Sequence, residues 1–169
     1  ETWISDGGLG VWNISGGTIN STNLFDVGHN GGSSGTLNVS GTAALNLKTV
    51  RMGEAGTVAS TFNLDGGTVK AESILARNST GAKAFNFNGG TLSVGTYTMP
   101  TPLVNAGTGK LAPGCVGTAA ATTVTNGYTQ GATASMALDL AGSDAGSFDS
   151  ITSSGPVVLD GKLSLALVS

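Results

Sequence analysis

The sequence predicts an all-β chain wound as a right-handed, single-stranded parallel β-helix, a β-solenoid of about 25 residues per coil. Three observations predict it. A short motif recurs at near-constant spacing. Apolar and polar residues alternate with period two around each copy. Glycine collects between the alternating runs.

The motif is apolar-Asn-apolar-polar-Gly. It occurs as Trp12-Asn13-Ile14-Ser15-Gly16, Leu37-Asn38-Val39-Ser40-Gly41, Phe62-Asn63-Leu64-Asp65-Gly66 and Phe85-Asn86-Phe87-Asn88-Gly89. The asparagines Asn13, Asn38, Asn63 and Asn86 are separated by 25, 25 and 23 residues. A second alternating run follows each copy: Ile19/Ser21, Leu45/Leu47, Val69/Ala71 and Leu92/Val94. A third follows as residues 24–28, 49–53 and 73–77, and small polar residues then return the chain. One such unit cannot enclose a core. Stacked units bury a continuous apolar column and pair their backbones between coils. A β-sandwich also uses many short strands, but the near-fixed period favours stacked coils. Period-two alternation and poor helix formers exclude a helical chain.

Alternation directs Trp12 and Ile14 inward and the asparagine between them outward. Trp12 is therefore expected in the core. Asn13, Asn38, Asn63 and Asn86 are expected as an exposed ladder of mutually hydrogen-bonded amides. Thr18, Thr42, Thr68 and Thr91 fall at the corners, so they do not form the flat threonine row of an ice-facing array.

Composition narrows the function classes. The 28 glycines among 169 residues would suit disorder, but 39% hydrophobic and only 10% charged residues is the reverse of a disordered chain. Net charge is −3, and seven Lys and Arg are scattered singly, which excludes a phosphate-binding stripe and hence nucleic acid. No apolar run approaches the ~20 residues of a membrane span. Cys115 is the single cysteine, so it forms no internal disulfide and no all-cysteine zinc site, and it reads as a small buried hydrophobe. The chain opens at Glu1 in strand-like sequence, which reads as a mature or trimmed product.

Residues 1–104 carry the regular repeat. Residues 105–169 read as less regular coils of the same body. Their landmarks are Leu111-Ala112-Pro113-Gly114, Val124 to Tyr128 and Gln130, Met136 to Leu140, Asp149 to Ile151, and Gly155 to Leu167. This order of L-x-P-G, Y-x-Q, L-x-L, D-x-I and G-x-L-x-L resembles the C-terminal part of bacterial autotransporter passenger domains. It also resembles the autotransporter-associated β-strand repeat proteins, which are secreted with PEP-CTERM-type tails. The preceding Asn-x-x-Gly-Gly-Thr units look like the repeats of those proteins. The resemblance implies a right-handed β-helix, export to a bacterial surface or the medium, and adhesive or matrix-like roles. It transfers no catalytic residues.

No catalytic, cofactor-binding or metal-binding residues are assigned from the sequence, and no cofactor is expected. His29 is the sole histidine and reads as a solvated turn residue. Asp26 and Arg51 occupy equivalent slots one coil apart and read as a surface ion pair worth about 0–1 kcal/mol. Asp26 with Glu54 is the nearest approach to the carboxyl pair of a glycoside hydrolase. Asp139, Asp144, Asp149 and Asp160 gather in the C-terminal part, but that segment lacks both an EF-hand loop and calcium-binding nonapeptides. Asp149 reads instead as a turn cap. The sequons at Asn13, Asn20, Asn38 and Asn78 follow from composition.

These readings lead to an expectation of a non-catalytic extracellular structural or adhesive solenoid. Both chain ends read as strands, at residues 1–4 and 163–167, and unpaired strand edges invite pairing. The expected partners are a further copy stacked head to tail, or continuation of a longer solenoid. The alternative is a carbohydrate-binding or polysaccharide-active module with surface glycans as ligands. Trp3, Trp12, Tyr97 and Tyr128 are its only aromatics suited to sugar stacking.

Overall fold

A computed structural model of the chain describes residues 1–114, 117 and 119–168. Among them the regular structure is entirely strand, and the strands stack in parallel into a β-solenoid of about seven turns. Each turn crosses three faces. Face 1 stacks Leu9–Ile14, Ser34–Val39, residues 59–64 and 83–87, Leu103–Asn105, Tyr128–Gln130 and Val157–Val158. Face 2 stacks residues 18–21, 44–47, 68–71 and 91–94, Lys110–Leu111, Ser135–Leu140 and Lys162–Leu167. Face 3 stacks Thr2–Trp3, residues 24–27, 49–52, 73–75 and 96–97, Ala121–Val124 and Ser150–Ser153.

Alternation decides what is inside. On face 1 the register aligns Trp12, Leu37, Phe62 and Phe85 in one inward column and Ile14, Val39, Leu64 and Phe87 in the next. Face 2 contributes Leu45, Val69, Leu92 and Leu111, and face 3 contributes Phe25, Val50, Ile74, Tyr97 and Val124. These face 2 and face 3 side chains are buried in one continuous core. Phe85 meets Phe62 edge-on at 5.0 Å and Tyr97 at 5.7 Å, a favoured aromatic geometry. Trp12 departs from its expected place. It points inward and meets Phe25 edge-on at 6.0 Å, yet it stays 37% exposed because no coil covers it.

The Gly-Gly-Thr corners have a steric cause. Gly67 and Gly90 adopt positive φ, at 72° and 69°. A Cβ on Gly67 would press on the carbonyl of Ala43 in the coil before, and one on Gly90 would press on the Gly66–Gly67 backbone. The second coil carries one extra residue here. Ala44, not Thr42, therefore stands in register between Thr18 and Thr68.

The less regular residues after 104 continue the same stack. Their irregularity lies in where loops leave it. In the first coils faces 2 and 3 belong to one bent strand, as in Thr18–Val27 and Ala44–Met52, and the loop falls between faces 3 and 1. From Thr98 onward the face 3 to face 1 corner shrinks, and the longer separations fall between faces 2 and 3, from Leu111 to Ala121 and from Leu140 to Ser150. The repeat therefore shortens to 18 residues between Phe87 and Asn105 and lengthens to 29 between Tyr128 and Val157.

Candidate functional site

The densest set of ionisable groups lies where face 3 meets its returning loops at the start of the stack. Register sets Asp26 beside Arg51, as the sequence predicted. The pair is not at the surface, however. Asp26 is 0% exposed, and both of its carboxylate oxygens accept bonds from the Arg51 guanidinium. Trp3 pairs with Asp26 from the preceding strand, and its ring stacks on His29 at 4.6 Å and 19°. Those neighbours exclude water from the carboxylate. His29 is correspondingly no free turn residue, since its Nδ1 lies 2.9 Å from Asp6 and its Nε2 lies 3.9 Å from Asp26.

Arg51 also pairs with Glu1 and lies 3.4 Å from Glu54. Glu54 in turn accepts bonds from Arg77 at 2.9 and 3.3 Å. The Arg77 bonds, and after them the charge of Arg51, hold the Glu54 carboxyl below the usual carboxylate range. Asp26 and Glu54 thus share one guanidinium. Among the described residues, Glu1, Asp26 and His29 are the one group whose donor atoms could converge on a cation, all within 4.8 Å. Arg51 already occupies two of those carboxylates, so a cation there would have to displace a guanidinium.

Of the C-terminal aspartates, Asp139 and Asp149 lie side by side. Asp149 accepts the amides of Ala120 at 2.7 Å and Asp139 at 3.0 Å, and burial pushes its carboxyl up. Asp139 accepts the amide of Gly117. These two carboxylates hold Gly117 and Ala120 beside the end of face 2, and Asp149 caps backbone amides as expected. Asp160 bonds the following amide of Gly161 at 2.7 Å, and Asp144 offers only its backbone carbonyl, to Ser147. The reading of Cys115 lies outside the described residues.

The aromatic set for sugar stacking is dispersed by the fold. Tyr97 and Tyr128 are buried, and burial pushes both phenols up to about 12. Of the four, Trp3 and Trp12 reach solvent, and they sit at one end of the stack.

The asparagine ladder stands as expected. Asn38, Asn63 and Asn86 each donate to the preceding amide oxygen at 2.7 Å. The sequence also held a second rung that went unread: Asn46 donates to Asn20 at 2.8 Å on face 2. Its signal was the same one, an outward asparagine recurring one coil on.

That second rung borders a surface groove, a trough of about 670 Å³ along the bend between faces 2 and 3. Ser21, Asn46, Lys48, Lys70, Glu72 and Ser93 line it. It forms because the strand turns from face 2 to face 3 through only one or two residues, Lys48 in one coil and Glu72 in the next. Ala120 and Ala121 flank its far end.

The two ends of the stack are chemically alike. Leu163, Leu165 and Leu167 stand in register over Met136, Leu138 and Leu140 but are exposed, Leu167 by 90%. At the opposite end Leu9, Val11 and Trp12 are exposed. No protein-family model, curated protein or solved structure matches this chain.

Proposed function

We propose that this chain is a non-catalytic extracellular solenoid, structural or adhesive, exported to a bacterial surface or matrix. The carrying observation is the pair of uncovered ends. Lys162–Leu167 pairs on one side only, with Ser135–Leu140, and its inward leucines meet solvent. Leu9–Ile14 likewise pairs only with Ser34–Val39. Unpaired edges over apolar rungs favour a further coil, which can add both backbone bonds and apolar burial. A second copy supplies that coil head to tail, and such a contact does not close on itself, so it makes a filament. More of the same polypeptide supplies it equally well. Export is supported by the resemblance of residues 111–167 to passenger-domain endings.

The test is light scattering with negative-stain microscopy over a range of concentration. Growing rods are expected, and Leu165→Asp should return them to single solenoids. A monomer at every concentration would remove self-assembly and leave continuation of the chain.

The groove on face 2 favours a second reading, a carbohydrate-binding module. Glycoside hydrolysis uses two carboxyls, and Glu72 is the single one among the described lining residues.

A further inference from the structure

We propose that the face 2 groove binds a linear polyanionic polysaccharide along the solenoid axis, held by Lys48 and Lys70. The inference rests on the carbohydrate-binding reading and names its ligand class and its contacts.

Shape comes first. Ser21, Asn46, Lys70 and Ser93 are contributed by four successive coils. Three inter-strand rises of ~4.8 Å make the trough about 14 Å long. It is open along its length, which suits an extended polymer segment better than an enclosed small molecule.

Charge comes second. The chain has five lysines, and the register sets four of them, Lys48, Lys70, Lys110 and Lys162, on face 2 or its bend. Glu1, Asp6, Asp26 and Glu54 are gathered elsewhere, around Arg51, Arg77 and His29. Among the described residues, neither Lys48 nor Lys70 lies within ion-pair distance of a carboxylate, so both ammonium groups are available to a ligand. A protein of net charge −3 therefore places two unpaired cations, Lys48 and Lys70, side by side in this groove.

Hydrogen bonding comes third. Asn46 spends one N–H on Asn20 and keeps its oxygen and second N–H for hydroxyl groups. Glu72, one coil on and opposite Lys48, can accept from hydroxyl groups. It also repels a densely charged strand, and no described lining residue is aromatic, so nucleic-acid bases find no stacking platform. A saccharide chain with spaced acidic groups and many hydroxyls fits all three features.

Calorimetric titration at low salt with four probes tests this: hyaluronan, kappa-carrageenan, neutral dextran and oligothymidylate. Binding of hyaluronan or kappa-carrageenan, each with one acidic group per disaccharide, is expected, and the stronger of the two identifies carboxylate or sulfate as the preferred acid. Replacing both lysines, Lys48→Glu with Lys70→Glu, should weaken it by about tenfold or more. Lys162→Glu, on the same face outside the groove, should change it by less than about twofold. Lys48→Gln with Lys70→Gln replaces the double variant if charge reversal lowers the melting temperature. Unchanged affinity in the folded double variant overturns the proposal, as does equal binding of oligothymidylate. Binding of neutral dextran alone overturns it but spares the carbohydrate reading. Failure of every probe removes both.

Discussion

The first coils and the last coils share a cross-section but solve the interior differently. Through Phe87 the inward column beside the face 1 corner is apolar: Ile14, Val39, Leu64, Phe87. At Asn105 it turns polar and continues to Gln130. Asn105 Nδ2 donates to the Gly109 carbonyl at 2.9 Å, and Gln130 Nε2 donates to the carbonyls of Asp160 and Lys162. Tyr128 donates its hydroxyl to Gln130 at 3.1 Å. The difference teaches where a solenoid is tolerant. The faces must keep register, because every rung inside the stack pairs with two others. The corners accept loops of changing length, provided that something satisfies the carbonyls they bring inside.

The largest effect should come from the apolar half. Phe62→Ala leaves a cavity between Leu37 and Phe85 and should cost ~3–5 kcal/mol in urea unfolding. A cost below about 1 kcal/mol would mean that these coils collapse around the gap. Asp26→Ala leaves Arg51 partly buried without its main partner. The expected loss approaches the ~3–5 kcal/mol of a broken buried pair, less what Glu1 and Glu54 return to the guanidinium. In the polar half, Gln130→Leu keeps bulk but strands two corner carbonyls, for ~1–3 kcal/mol by the same measurement. If it stabilises the protein instead, the inward amides are not what holds those corners. The exposed ladder should matter least: Asn63→Ala removes two bonds that water can replace, for about 1 kcal/mol.

Acid sharpens the same contrast, because the two regions respond with opposite sign. The Glu54 carboxyl is held low in the folded state. Its contribution is present above the unfolded value and is lost as pH falls through the folded one. Asp149 is held high by burial. It binds its proton more tightly when folded, so its contribution is present at low pH and is lost as pH rises through its folded value. Urea unfolding between about pH 3 and 6 should therefore show Glu54→Gln flattening an acid-induced loss. Asp149→Asn should flatten a gain. Identical slopes in both variants would refute the assignment.

Much of this was legible in residues 11–94. The spacing of Asn13, Asn38, Asn63 and Asn86 gave the coil length, and the runs at Ile19, Leu45 and Val69 gave the second face. The one-residue slip at Thr42 was not legible, because an insertion in a corner leaves the flanking alternation intact. Residues 105–168 were harder for the same reason: moving loops from one corner to another changes the spacing from 25 residues to 18 and 29 without changing any face.

The sequence by itself determined the strands, their inward and outward sides and their stacking, because alternation and period are local properties that every coil repeats. The tertiary structure alone decided burial and convergence. Asp26 reads as a surface residue until Trp3 and Arg51 from the neighbouring coils, with His29 from its own, close over it. Lys48 and Lys70 read as scattered cations until the bend between two faces brings them into one groove. Both outcomes depend on contacts between residues about 25 positions apart, and on the angle at which a strand turns its corner. A residue's own neighbours in sequence carry neither.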